Sequence, residues 1–202
     1  MAEIKAVIFD WGGVLIDDPE PGLMQYCAEA FGVRKEKYIK THKKFWADFQ
    51  TGSITEDVFW ERVCGELKVV APKGFSLWGR AFEAVYRPKE DMFALASLLR
   101  RNGYKTALLS NAETATMEYF HRQGYDMFDV LVFSCVEGAM KPERRIYERT
   151  LERLGVRASE TVFIDNRLTY IEGAKQAGLK VIYFQSVTQV KAALAQLDVE
   201  IS

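Results

Sequence analysis

Cysteine, histidine and any surplus of charge are all in short supply in this chain. Its 202 residues include only 3 cysteines and 2 histidines. Cys27, Cys64 and Cys135 are far apart and form no C-x-x-C pair. That excludes a disulfide framework and a cysteine-bound zinc, and it points to a reducing compartment. Each cysteine reads as a small buried hydrophobe. His42 and His121 lack metal-ligand spacing. With 27 Lys+Arg against 28 Asp+Glu, the formal net charge is −1. No global field is available to hold DNA, RNA or an anionic membrane. Long apolar runs are missing as well. The run Ala6-Val7-Ile8-Phe9 stops at Asp10, short of the roughly 7–15 residues of an export core, and nothing approaches the ~20 apolar residues of a membrane span. A cytoplasmic protein with neither nucleic-acid nor membrane partners is expected. The signatures GxSxG, HExxH and GxxxxGK[ST] are absent, and Gly12-Gly13 lacks the GxGxxG register of a dinucleotide site.

What remains is ordinary globular composition, 49% hydrophobic and 27% charged, which excludes a disordered or fibrous chain. Short apolar runs at 4–9, 105–109, 130–133, 161–164 and 180–184 predict five strands. Their continuous rather than alternating character suits a parallel sheet covered on both faces. Helical stripes fall between them: Met92, Leu95, Ala96 and Leu99; Tyr147, Thr150, Leu151 and Leu154; Val190, Ala193, Leu194 and Leu197. The alternation predicts an α/β doubly wound parallel sheet. One connection is far longer than a βαβ unit. Residues 20–87 show no strand but several helical faces, among them Tyr38, His42, Phe45 and Phe49, then Trp60, Val63, Cys64 and Leu67. Three of the 4 tryptophans lie in this stretch. Proline-marked, charged junctions at 17–21 and 87–90 bound it. The organisation expected is a core made of 1–17 and 89–202, with an all-helical cap at 18–88 inserted after the first strand.

Ligands of an open parallel sheet bind beyond the carboxyl ends of its strands. Asp10 follows the first strand, Ser110-Asn111 the second and Asp165-Asn166 the fourth. Lys141 follows the third after a short loop. These stretches resemble a known family. FDWGGVL at 9–15 is similar to the first motif of the haloacid dehalogenase-like hydrolases, and LLSNA at 108–112 to the second. GAMKPERRIY at 138–147 resembles the third motif and FIDNRLTYIEGAKQAG at 163–178 the fourth. The resemblance implies a Rossmann-type core with a helical cap. It makes Asp10 the nucleophile on phosphorus, forming an aspartyl-phosphate. Ser110 and the backbone of Asn111, with Gly12 and Gly13, would hold phosphate oxygens, and Lys141 would offset negative charge. Mg²⁺ would bind through Asp10, the Gly12 carbonyl, Asp165 and Asn166. The partner implied is a small phosphorylated metabolite.

Two departures from the family pattern stand out. Gly12 occupies the position of the usual acid–base aspartate, which removes help of about 10²–10⁴-fold in protonating a leaving group. Asp17 or Asp18 could stand in for it. Asn166 replaces the second acid of the fourth motif, so Mg²⁺ should bind weakly. Arg167 adds a cation nearby, which brings the formal charge of Asp10, Asp165, Lys141 and Arg167 near zero. A phosphate pocket tolerant of a weakly held metal is therefore expected. The leading reading is a phosphomonoesterase, with reduced activity expected from these substitutions. The alternative is a catalytically degenerate member that binds a phosphorylated ligand or a protein partner without turnover. A haloacid dehalogenase fits poorly, with Arg167 and Tyr170 in the fourth motif. Trp46, Phe49 and Trp78 are expected chiefly to pack the cap.

Overall fold

The computed structural model describes residues 3–201. Five parallel strands form one sheet in the order β3-β2-β1-β4-β5: β1 (Ala6–Phe9), β2 (Lys105–Ser110), β3 (Val130–Phe133), β4 (Thr161–Asp165) and β5 (Lys180–Tyr183). All of β1 is buried, as its uninterrupted apolar sequence requires of the central strand. Register places Phe9 beside Leu108 on one side and Ile164 on the other. Asp10 therefore leaves β1 level with the ends of both neighbours, and its N–H still donates to the Ile164 carbonyl at 2.9 Å.

Between β1 and β2 lie α1 (Glu20–Ala30), α2 (Lys35–His42), α3 (Trp46–Gln50), α4 (Glu56–Leu67) and α5 (Leu77–Val85), followed by α6 (Glu90–Arg101). The remaining helices are α7 (Thr114–Arg122), α8 (Ser134–Glu137), α9 (Arg144–Leu154), α10 (Leu168–Gln176) and α11 (Val187–Ala195). The architecture is thus a doubly wound α/β core with an inserted helical cap. No helix among the described residues is long and apolar enough to cross a membrane.

Alternate residues of the strands face opposite layers. Ala6, Ile8, Leu109 and Phe163 pack with Ile146, Tyr147 and Ile171 of α9 and α10. Val7, Phe9, Leu108 and Ile164 pack with α6 and α11, in an apolar cluster that continues through Trp11 and Phe82 into the cap as far as Phe59 and Trp60. Cap and core thus share one apolar cluster. The cap's two connections are paired: Asp17 N–H donates to the Arg87 carbonyl at 2.9 Å, and Lys89 N–H to the Leu15 carbonyl at 2.8 Å.

The stripe Tyr38, His42, Phe45, Phe49 proves to span two helices. After α2 the bonds from Lys44 N–H to Thr41 and from Phe45 N–H to His42 reach back three residues rather than four. This tightens the chain into a turn before α3 begins. Cys27 and Cys64 are buried as expected, while Cys135 is only half-buried.

Candidate active site

Beyond the carboxyl edge of the sheet, core and cap enclose a cavity of about 490 Å³. Asp10, Gly12, Ser110, Asn111 and Lys141 line it from the core, and Leu23, Met24, Ile39, Trp46 and Phe82 line it from the cap. Ser110 is the last residue of β2 and Asp165 the last of β4, so parallel register alone brings them level with Asp10.

The Lys141 ammonium joins the strand ends. It donates to Asp10 Oδ1 at 2.6 Å and to Asp165 Oδ2 at 2.8 Å, with Lys141 itself 1% exposed. Its nitrogen lies 5.0 Å from the Tyr170 ring centroid and 5.4 Å from that of Phe163. The Lys141 main chain is clipped in place by the Asn111 amide. Lys141 N–H donates to Asn111 Oδ1 at 2.8 Å, and Asn111 Nδ2 donates to the Lys141 carbonyl at 3.0 Å. The Asn111 side chain thus positions the lysine. Burial first, and then the charge of Asp165, push the Asp10 carboxyl up to about 7, while Lys141 and the Trp11 backbone pull the other way. Burial would lower the lysine, but Asp10 and Asp165 outweigh it and hold Lys141 above its ordinary value. Two carboxylates share one ammonium, leaving one negative charge for a proton or a cation to balance.

Asp165 is fully buried, and its Oδ1 accepts from the Arg167 N–H at 2.8 Å. With Oδ2 held by Lys141, both of its oxygens are engaged. Asn166 Oδ1 is buried with no hydrogen-bond partner. Its side chain lies against Gly13, where a Cβ would come within 2.1 Å of Asn166 Nδ2 and φ is +89°. Gly13 is therefore required for close approach to Asn166. Its N–H donates to the Ile16 carbonyl at 2.9 Å, so the structure does not bring it to the cavity as an anion-binding group. Gly12 does line the cavity, and a Cβ there would meet Pro19 Cδ at 3.2 Å. Among the described residues no group of three or more His, Cys, Asp or Glu side chains is placed to hold a metal. Of the oxygens the resemblance assigns to a metal, those of Asp10 and Gly12 belong to cavity-lining residues, while Asn166 Oδ1 is buried without a partner and its residue does not line the cavity.

Arg167 does not neutralise the centre, contrary to expectation. Its guanidinium pairs with Glu20 Oε2, in the first turn of α1, at 2.5 Å. That pairing ties core to cap, and the centre keeps its negative charge. Asp17 is paired with Lys89 at 3.0 Å, whereas Asp18 accepts from Glu20 N–H at 3.1 Å and lines the cavity.

Sequence reasoning missed Gln50 and Glu113, both buried in the cavity wall. Glu113 Oε2 accepts from Trp78 Nε1 at 2.9 Å and from Thr116 Oγ1 at 3.3 Å. Burial raises its carboxyl above the usual range against those donors. Its one sequence signal, an acid just ahead of a helix, is shared with any helix start. Gln50 carries no signal at all. Trp46 and Trp78 line the cavity, while Phe49 is stacked on Phe59 at 4.3 Å, within the packing expected for it.

Comparison with known proteins adds four findings. The family model described as haloacid dehalogenase-like hydrolase matches residues 4–178. The chain is 32% identical to acyl-CoA dehydrogenase family member 10 of Mus musculus over 96% of its own length, though it spans only 19% of that protein. It is 25% identical to the sesquiterpene phosphatase astK of Aspergillus oryzae, covering 87% of each chain. In fold it is similar to a HAD family enzyme of Bacteroides thetaiotaomicron solved with magnesium and inorganic phosphate. That likeness has a TM-score of 0.72 at 22% identity and covers 90% of this chain and 94% of that one.

Proposed function

Because the chain belongs to the haloacid dehalogenase-like hydrolases, we propose that it hydrolyses phosphate monoesters of small molecules through an aspartyl-phosphate on Asp10. The observation that carries this reading is the buried Lys141 ammonium held between Asp10 and Asp165 beside the cavity. The Asp10 oxygen not held by Lys141 attacks phosphorus, the P–O bond to the leaving group breaks, and the alkoxide departs, taking its proton from solvent. Water then attacks the acyl-phosphate, releasing inorganic phosphate and regenerating the carboxylate. Lys141 keeps Asp10 oriented and stabilises charge on the transferring group, while the Ser110 hydroxyl and the main chain at Gly12 and Asn111 receive phosphoryl oxygens. Asp165 and the Asn111 side chain position the lysine.

Members of this family commonly use Mg²⁺, and the donors here are hard oxygens of the kind that ion prefers. Asp10, the Gly12 carbonyl and Asn166 Oδ1 would hold it, where it supplies positive charge against the phosphoryl oxygens. With Asn166 neutral and both Asp165 oxygens engaged, the set carries one anionic ligand and should hold the ion weakly. The absence of an acid at Gly12, where Pro19 crowds any side chain, leaves the departing alcohol to find its proton elsewhere. Turnover should therefore fall steeply as the leaving group becomes more basic.

The test is phosphate release from p-nitrophenyl phosphate by wild type and by Asp10→Asn, with and without Mg²⁺. Wild-type turnover that Asp10→Asn reduces by about 10³-fold or more is expected for loss of a nucleophile. Equal rates in the two proteins would overturn the reading. The Gly12 and Asn166 substitutions would then mark a protein that binds phosphorylated ligands without hydrolysing them.

A further inference from the structure

The cap-side wall of the cavity is unfinished. Three buried side-chain atoms there have no hydrogen-bond partner: His42 Nε2, Gln50 Oε1 and Glu113 Oε1. Their residues come from α2, from α3 and from the turn ahead of α7. They are 4%, 7% and 3% exposed, respectively. Buried polar atoms are almost always paired, so three orphans in one wall need a reason. Each side chain is otherwise firmly placed. His42 is stacked on Trp78 at 5.5 Å. The Gln50 side chain lies close to Glu113, yet its Nε2 donates to the Asn111 carbonyl at 3.3 Å. Glu113 Oε2 is held by the Trp78 indole N–H.

We propose that His42, Gln50 and Glu113 form a leaving-group subsite that recognises a hydroxyl on the departing alcohol. This rests on the phosphatase reading, whose chemical end it complements. A hydroxyl has one proton to donate, here to the Gln50 amide oxygen, and two lone pairs that can accept from the Nε2–H tautomer of His42 and from a protonated Glu113 carboxyl. Leu23, Met24, Ile39 and Phe82 add apolar wall around these three, and Lys43 and the Arg167–Glu20 pair add charge elsewhere in the lining. A second phosphate or carboxylate has no cation among the three groups to receive it. An ammonium would need Glu113 ionised in a site whose burial favours the neutral carboxyl. The subsite touches the phosphate end through Gln50, bonded to the main chain next to Ser110, so both ends of one ester are read within a single cavity.

The probes are ω-hydroxyalkyl phosphates of three to eight carbons, each compared with its unsubstituted and its ω-amino counterpart. At one chain length the hydroxyl should raise kcat/KM by about tenfold or more, as for a site built to pair a substrate hydroxyl. Gln50→Leu, and His42→Phe, which keeps a ring on Trp78, should each bring that ratio close to one. The same esters titrated calorimetrically against Asp10→Asn should show the same preference in Kd. This reads the subsite even where nothing is hydrolysed, so a failed phosphatase reading is told apart from a failed subsite. No preference at any length, a preference for the amine, or a preference that survives in both variants would overturn the proposal.

Discussion

Asp10, the proposed nucleophile, is kept buried in this chain at a cost to folding. Asp10 is 5% exposed and its carboxyl is pushed up to about 7, chiefly by burial and then by Asp165. An acid whose folded pKa exceeds its unfolded value of about 3.9 holds its proton more tightly when folded. Its contribution to stability is present below pH 4 and is lost as pH rises through about 7. Asp10→Asn abolishes that titration. The variant should melt above wild type at pH 8, with the gap closing toward pH 4, as thermal scans across that range would register. A variant less stable than wild type at pH 8 would contradict this. The centre's uncompensated charge leads to a second expectation. Phosphate arriving as a dianion meets a net negative group, so a chelator should weaken its binding by at least about tenfold, a difference of roughly 1.4 kcal/mol. Calorimetry of inorganic phosphate with Mg²⁺ and with EDTA checks this. Unchanged affinity would point instead to a neutral pocket in which Arg167, though paired with Glu20, still balances the centre. These residues differ in how legible they were. Asp10, Ser110 and Asp165 could be placed because strand ends in a parallel sheet share one edge. Gln50 and Glu113 could not, because what makes them notable is an unpaired oxygen, a property of the assembled wall.

At the level of elements, the cap is fastened to the core at places that hydrophobic periodicity does not reveal. The Ser134 hydroxyl, at the start of α8, donates to the Gln50 carbonyl at 2.6 Å and accepts from Ala112 N–H at 2.9 Å. It thereby links α3 to the loop after β2. Beside it, Gly52 has φ +71°, and a Cβ there would stand 2.2 Å from the Cys135 carbonyl oxygen. Gly32, with φ +62°, has nothing within 4 Å of its would-be Cβ. The two glycines separate conformational strain from collision. Gly32→Ala should cost only the left-handed penalty, about 1–2 kcal/mol. Gly52→Ala adds a backbone clash and should cost distinctly more, while raising KM by lifting α3 and its Gln50 away from the cavity. Denaturant midpoints and steady-state kinetics on the pair would show it. Equal losses in both would mean that α3 yields without consequence. Strand and helix types were readable from apolar runs and stripes, since burial on one or two faces leaves a period in the sequence. The break between α2 and α3 was not readable. Tyr38, His42 and Phe49 are buried on both sides of it, so the stripe passes through the turn unchanged.

Taken whole, the molecule looks divided by its chain order yet is joined by its packing. The cap is an insertion, but the apolar cluster on one face of the sheet runs from Leu99 and Val190 in the core through Trp11 and Phe82 to Phe59 and Trp60 in the cap. Trp11 makes the junction, with its ring centroid 5.1 Å from that of Phe82 on one side and 5.0 Å from that of Phe120 on the other. A shared cluster of this kind gives neither part a face on which to remain folded alone, so one cooperative transition is expected. The tryptophans make this testable, because Trp46, Trp60 and Trp78 report mainly on the cap. Leu99→Ala removes a fully buried side chain from α6 in the core. It should destabilise by about 2–5 kcal/mol, lowering Tm by roughly 4–20 °C for a domain of this size. If the cluster is one unit, the tryptophan fluorescence transition and the far-ultraviolet circular dichroism transition will fall together, by equal amounts. A fluorescence transition left at the wild-type temperature would show the cap melting on its own, with a boundary inside the cluster where the packing places none.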